Sequence, residues 1–246
     1  MKKLKVCWLS AGVSSFIAGY LVKDTVDEFL YIDIDDQHPD SMRFIKDCEK
    51  VLGKKVTILK SKEYKNVEET VLAFSGFMNR NTFFAPCTNW LKKRVRKQWE
   101  QEHADYDITY VWGMDLNEKH RTERLLDTMI EYNHEFPLID RQLTKEEAHG
   151  ICEQLGVKRP IMYDLGYNNN NCVGCVKGGI GYWNKIRVDF PEVFEARAKL
   201  ERKVGNTILK EADGTPIYLD ELAADRGRMS EEISTECNIF CMLNLS

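Results

Sequence analysis

Lys5-Val6-Cys7-Trp8-Leu9-Ser10-Ala11-Gly12-Val13-Ser14-Ser15 opens as a short apolar run, breaks into small residues and resumes as a helical pattern. Lys5–Leu9 reads as a buried strand and Ser14–Val22 as the helix that follows it. The turn between them lies at the carboxyl end of the strand, the edge where open α/β sheets bind ligands. Gly12 lets a ligand approach the backbone closely. The N–H groups of the turn point at an anion, and the helix N-terminus adds partial positive charge. Ser10, Ser14 and Ser15 add hydroxyl donors. The spacing is neither GxGxxG nor the lysine-containing phosphate loop. A plain strand-to-helix turn with Ser14 as its N-cap is the alternative.

Working outward, strands expected at Glu28–Ile34, Val56–Leu59 and Ile108–Trp112 alternate with helices at Ser41–Val51, Val67–Phe74, Thr88–Gln101 and Glu118–Tyr132. Short apolar runs between longer helical patterns predict an α/β fold, a parallel sheet with helices on both faces. The rhythm changes after about Pro137. Thr144 caps a helix bearing Glu146 and Glu147, Gly156 ends it, another helix starts near Pro191, and a small hairpin flanks Asp213-Gly214. The expected division is a nucleotide-binding α/β domain over 1–137 and a Cys-rich C-terminal cap over 138–246.

The chain has 246 residues and a net charge of -4, which argues against general nucleic-acid binding. No run is long enough to span a bilayer and no signal peptide is visible, so a cytoplasmic location is the expectation. Eight cysteines then need a reason, because reducing compartments discourage structural disulfides. Cys172 and Cys175 form a CxxC pair, tightened by Gly174, and Cys237 and Cys241 form a CxxxC pair. Converging thiolates suit zinc or an iron–sulfur cluster; a redox dithiol is the other reading. Cys7, Cys48 and Cys152 fall in strand or helix patterns and read as small core residues.

Lys92, Lys93, Arg94, Arg96 and Lys97 make one helix basic. Lys92 and Arg96 share a face and are the best anion contacts there, whereas a solvated face offset by Glu100, Glu102 and Asp105 is the plainer reading. Asp33, Asp35 and Asp36 could meet ribose hydroxyls or Mg²⁺, or be loop polarity. Tyr182 and Trp183 read as packing rather than stacking residues.

Together these stretches resemble the phosphoadenylyl-sulfate (PAPS) reductase family of the adenine-nucleotide alpha-hydrolase superfamily, over most of the chain. Ser10-Ala11-Gly12-Val13-Ser14-Ser15 is similar to the family's SGGxxS pyrophosphate loop, with Ala11 in place of its second glycine. Tyr31-Ile32-Asp33 resembles the strand end that meets adenosine, and Cys87-Thr88 with Leu91-Lys92 the segment before the basic helix. Gly113, Glu118 and Arg121 resemble the fourth-strand exit that faces the anionic nucleotide. Asn171-Cys172-Val173-Gly174-Cys175 resembles the C-terminal cysteine block, and Glu236-Cys237 the ECGLH tail that carries the nucleophile.

The resemblance implies an adenine nucleotide, ATP or PAPS/APS, held by Ser10, Ala11, Gly12, Val13, Ser14, Ser15, Asp33, Lys92, Gly113 and Arg121, with Mg²⁺ as a further cofactor. It implies Cys237 as catalytic thiolate and a [4Fe–4S] cluster or Zn²⁺ on Cys87, Cys172, Cys175 and Cys241; Cys172, Cys175, Cys237 and Cys241 are an equal alternative. The implied activity is that of a sulfonucleotide reductase-like oxidoreductase or a sulfurtransferase. Partners on this reading are the small-molecule nucleotide, a thiol reductant protein and a second copy of the chain as a homodimer. A nucleic acid stays open, and no membrane is expected. Departures from the family pattern are Ser14 at the loop aspartate of the ATP-cleaving branch, the single Cys87, and Asn238-Ile239-Phe240 in the tail. They keep two alternatives in play: an ATP-dependent sulfurtransferase acting on a nucleic acid or nucleotide, and a zinc-stapled nucleotide-binding module without catalysis.

Overall fold

β1 (Lys2–Leu9) is the central strand of a five-stranded sheet in a computed structural model that describes residues 2–78 and 85–230. Cys237 and Cys241 lie outside the described residues. α1 (Val13–Leu21), β2 (Glu28–Ile32), α2 (Asp40–Leu52), β3 (Val56–Leu59) and α3 (Val67–Phe74) follow in alternation. α4 (Pro86–Thr88) runs through a π-helical turn, Asn89–Lys93, into α5 (Arg94–Glu102), and β4 (Tyr106–Val111) returns to the sheet. A 3-10 turn at Leu116–Glu118, α6 (His120–Thr128) and β5 (Asn133–Glu135) complete it.

The order is β3-β2-β1-β4-β5, and every pair is parallel. The alternation along β1 explains both buried faces. Val6 and Trp8 join one core with Leu30, Tyr110, Trp112 and residues of α3, α5 and α6. Cys7 and Leu9 join the other with Phe29, Tyr31, Val111 and residues of α1 and α2. The expected α/β fold, a parallel sheet with helices on both faces, is therefore the fold observed. Cys7, Cys48 and Cys152 are buried in the second core, as expected of small apolar side chains. No helix among the described residues is long and apolar enough to cross a membrane.

Two edges differ from expectation. β1 begins at Lys2, because its ladder with β4 continues through Lys2–Tyr106 and Lys3–Asp107 beyond the apolar run. The helix expected to reach Tyr132 stops at Thr128, and Asn133–Glu135 becomes an edge strand. Such a strand needs only backbone hydrogen bonds, so its polar side chains gave no pattern to read.

After the sheet come α7 (Pro137–Asp140), α8 (Lys145–Gln154), α9 (Ile161–Asp164), α10 (Ile180–Asp189), α11 (Pro191–Val204) and the two-stranded pair β6 (Leu209–Lys210) and β7 (Pro216–Ile217). The capping box Thr144–Glu147 fixes the start of α8 as expected. α8 places Ala148 and Cys152 in the second core. A third apolar cluster, built on Met162, Trp183, Phe194 and Leu219, organises the rest. α10 was not foreseen. Gly181, Tyr182, Trp183, Asn184 and Ile186 bury most of its circumference, which leaves no amphipathic stripe.

Candidate functional site

The chain lays β1, β2 and β3 outward in one direction and then crosses back to put β4 on the other side of β1. That reversal opens a crevice beyond the carboxyl ends of β1 and β4, where backbone strands diverge and ligands bind in open α/β sheets. A cavity of about 350 Å³ occupies it. Ser10, Gly12, Ser14, Ser15, Lys92, Gly113 and Arg121 all line this cavity, as do Tyr31, Gln37, Trp112, Tyr163 and Asn169–Asn171.

The phosphate-loop candidate is shaped by its own hydroxyls. Ser15 Oγ accepts the Ser10 N–H at 3.0 Å and donates to the Gly12 carbonyl at 2.9 Å, and Ser10 Oγ lies 3.1 Å from it. These bonds close the turn, so Ser15 serves the loop's shape. Gly12, not Ser14, is the N-cap of α1; it is extended and brings no side-chain cap, and among the described residues no side chain accepts the Ser14 or Ser15 N–H. No acidic residue sits in the first turn. Among the described residues Ser14 Oγ has no internal hydrogen bond, and it lines the cavity. Uncapped amides and the helix dipole together favour an anion there. Ala11 and Val13 are buried behind the loop.

Three neighbours hold this loop in place. Tyr163, from α9, accepts the Val13 N–H at 3.4 Å, and burial pushes its hydroxyl up to about 12, so it stays neutral. Asn170 Nδ2 donates to the Ala11 carbonyl at 2.8 Å and to Ser41 Oγ at 3.0 Å. Gly113, just past β4, abuts the first turn of α1: a Cβ there would lie 2.4 Å from Ser15 Cα. Any side chain at position 113 would force β4 and α1 apart. Beyond it, Asp115 caps the 3-10 turn in a capping box with Glu118, and Glu118 pairs with Arg121.

The cysteine turn is anchored next to the cavity. Asn169 and Asn171 line both the cavity and a small adjoining hollow that includes Cys172, Tyr182, Met229 and Ser230. Cys172 bridges Gln37 in antiparallel fashion, and Val173 N–H donates to the Asp36 carbonyl at 2.8 Å. The Tyr182 hydroxyl takes the Cys175 N–H at 2.9 Å and lies 3.3 Å from the Cys172 carbonyl. Gly174 adopts φ +68°, and a Cβ there would meet Val193 at 2.6 Å. Tyr182 and Trp183 are packing residues, as expected.

Three of the candidate thiols, Cys87, Cys172 and Cys175, belong to the described residues. Cys172 belongs to the first core, Cys87 packs half-buried against that same core, and Cys175 belongs to the third cluster. Among the described residues no three His, Cys, Asp or Glu side chains are grouped to hold a metal ion. Cys241, named for both ligand sets, lies outside the described residues.

The aspartate cluster sits apart from the cavity. Asp33 pairs with Lys60 at 2.7 Å and Asp35 lies 3.7 Å from the same lysine. Asp36 forms an ion pair with Arg197 and accepts the Val67 N–H at 2.7 Å. The basic helix is also reassigned. Arg96 is 3% exposed and pairs with Glu100 at 2.9 Å, so it is not an anion contact. Lys93 is buried as well, and Arg94 stacks 3.5 Å above Trp90. Only Lys92 of this group lines the cavity, where the π-turn presents it. Tyr163, Lys145, Glu146, Trp112 and the asparagines were missed as site residues, because they belong to no motif and reach the cavity only through folding.

Neither a protein-family model nor a curated protein matches the sequence. Among solved structures the chain is similar to the phosphoadenylyl-sulfate (PAPS) reductase from Candida auris, as a phosphate complex, with a TM-score of 0.49 and 12% identity over 68% of this chain and 80% of that one.

Proposed function

We propose that the chain binds an adenine nucleotide in the β1/β4 crevice and performs thiol-dependent sulfur chemistry on it, with Cys237 as the nucleophile. The observation that carries the nucleotide part is the N-terminus of α1, with no side-chain cap from Gly12 and no acidic residue in its first turn, beside a cavity at the topological switch point. Ser10, Gly12, Ser14 and Ser15 take a phosphate, Lys92 and Arg121 offset charge, and Trp112 and Tyr31 offer aromatic surface to the base. Asn170 ties this loop to the cysteine turn, which supports one shared site.

Cys237 follows Ser230 by seven residues, and Ser230 lines the hollow beside Cys172. Seven residues reach at most about 25 Å, enough to bring a thiol to the cavity mouth. In the proposed step the Cys237 thiolate attacks the sulfur of an adenylyl sulfate. An S–S bond forms, the S–O bond to the phosphate breaks, and AMP departs with the electron pair. A second thiol, from a reductant protein, then attacks the Cys237 sulfur and releases sulfite, leaving a disulfide.

The test is AMP release from adenylyl sulfate in the presence of excess dithiol. The wild-type chain is expected to release AMP and sulfite in equal amounts, and Cys237→Ser to release neither. No AMP release by the wild type, or unchanged release by Cys237→Ser, contradicts the reading.

A further inference from the structure

Gln37 lines the cavity from the loop that follows β2, and the protein uses its carboxamide at one end only. The Tyr31 hydroxyl donates to Gln37 Oε1 at 2.6 Å, and the Ile34 N–H donates to the same oxygen at 3.1 Å. Burial raises the Tyr31 hydroxyl well above its ordinary value, so it keeps its proton and acts as the donor. Two donors on one atom settle which end of the amide is the oxygen. The other end is therefore the NH₂ group, and it meets no acceptor among the described residues. Gln37 is half-buried, and this nitrogen is not sealed from solvent.

The backbone is held as firmly. Gln37 N–H donates to the Ile34 carbonyl at 2.9 Å, and Gln37 bridges Cys172. A side chain clamped at its oxygen has little rotamer freedom left to lose when a ligand arrives. The phosphate loop is close by. Asn170 Nδ2 reaches the Ala11 carbonyl, and Cys172 lies beside Gln37. These two contacts are two residues apart, at most about 7 Å of chain, a separation on the scale of one nucleoside.

A carboxamide NH₂ can only donate. Resting on the adenine-nucleotide reading, we infer that Gln37 is a specificity-determining residue whose NH₂ donates to an acceptor on the nucleoside, a ring nitrogen of the base or the 2′- or 3′-hydroxyl oxygen of the ribose. A ligand without an acceptor at that point leaves the amide unmatched and binds more weakly.

Gln37→Glu isolates the NH₂. The carboxylate keeps an oxygen for Tyr31 and Ile34 and replaces the donor by an acceptor, so a residue that served the turn alone would be served as well by Glu. Calorimetric titration of the full chain with AMP and with its 1-deaza, 3-deaza, 7-deaza, 2′-deoxy and 3′-deoxy analogues reads the effect. The added charge weakens every one of these ligands alike and cancels in the ratio of analogue to AMP. In the wild type, the analogue that lacks the acceptor facing Gln37 is expected to bind about fivefold more weakly than AMP. In Gln37→Glu that difference is expected to vanish. Gln37→Met, which removes both ends of the amide, is read by the same ratios where Gln37→Glu does not fold. Ratios that are the same in the wild type and the variant for all five analogues overturn the role of Gln37 and leave the nucleotide reading standing. Failure of AMP and every analogue to bind the wild type overturns the nucleotide reading, and this role with it.

Discussion

Ala11 stands at φ +57°, a conformation that costs an alanine about 1 kcal/mol and suits glycine better. The sequence resemblance already marked this position as a glycine site. Ala11→Gly relieves that strain but gains unfolded-state entropy of about 0.4–1 kcal/mol, so denaturant titration should show a change within about 1 kcal/mol. Ala11→Val puts a β-branched residue in the same backbone geometry and should cost about 2 kcal/mol or more. Gly113 is the stricter position, since its missing Cβ is what lets β4 touch α1. Gly113→Ala should cost about 2 kcal/mol and displace the loop. AMP affinity should then fall at least about tenfold in the same titration that reads the wild type. Unchanged affinity in a folded Gly113→Ala would separate this contact from the site. Both positions were legible as small residues in the motifs. The fixing hydrogen bonds from Asn170 and Tyr163 were not, because those residues lie some 150 positions away in sequence.

At the scale of elements, strands and amphipathic helices announced themselves through apolar period, and the first three βα units are close to the expected boundaries. The elements that escaped have no period to read: β5 is three polar residues, α10 is buried almost all round, and the π-turn interrupts a helix whose spacing looks uniform. Two ionisable side chains brace elements of the fold and predict how stability follows pH. Glu201 of α11 is fully buried; its Oε1 accepts the Ile208 N–H at 2.7 Å and its Oε2 the Leu219 N–H at 2.6 Å. Burial raises its carboxyl to about 7, with Asp220 adding to the rise and the two N–H groups and Arg202 opposing it. A folded value above the unfolded one gives stability that is complete below the unfolded value of 4.5 and is lost as pH rises through about 7.

His134 of β5 has the opposite sign. Its Nδ1 accepts the Trp112 indole N–H at 2.9 Å and its Nε2 faces the Met129 carbonyl at 2.9 Å, which fixes the neutral ring. Burial lowers its value, so its contribution is present above the unfolded value of 6.5 and is lost as pH falls through the folded one. Thermal unfolding followed from pH 5 to 8 should show both flanks. His134→Gln should flatten the acid flank alone, and a profile unchanged in that variant would contradict the assignment. The Arg197–Asp36 pair is the third brace, joining α11 to the segment that holds the cysteine turn. Removing one partner of a buried pair is strongly destabilising, so Asp36→Ala should cost about 3 kcal/mol or more by denaturant titration.

For the whole molecule, the strand reversal between β1 and β4 decides where a crevice opens; its place at the carboxyl end of β1 was foreseeable from one apolar run ending in small residues, and the strand order was not. The serine-rich loop and the asparagines before Cys172 share that crevice. The thiol ligand sets were less legible: the CxxC turn puts Cys172 in the first core and Cys175 in the third cluster, and Cys241, common to both sets, lies outside the described residues. The central claim is that a nucleotide phosphate sits on the amides of α1, and a crystal structure of the chain saturated with AMP tests it most directly. The account predicts the phosphate within hydrogen-bond distance of the Ser14 and Ser15 N–H groups, with the base in the β1/β4 crevice. AMP bound at any other place, with those amides untouched, would contradict it.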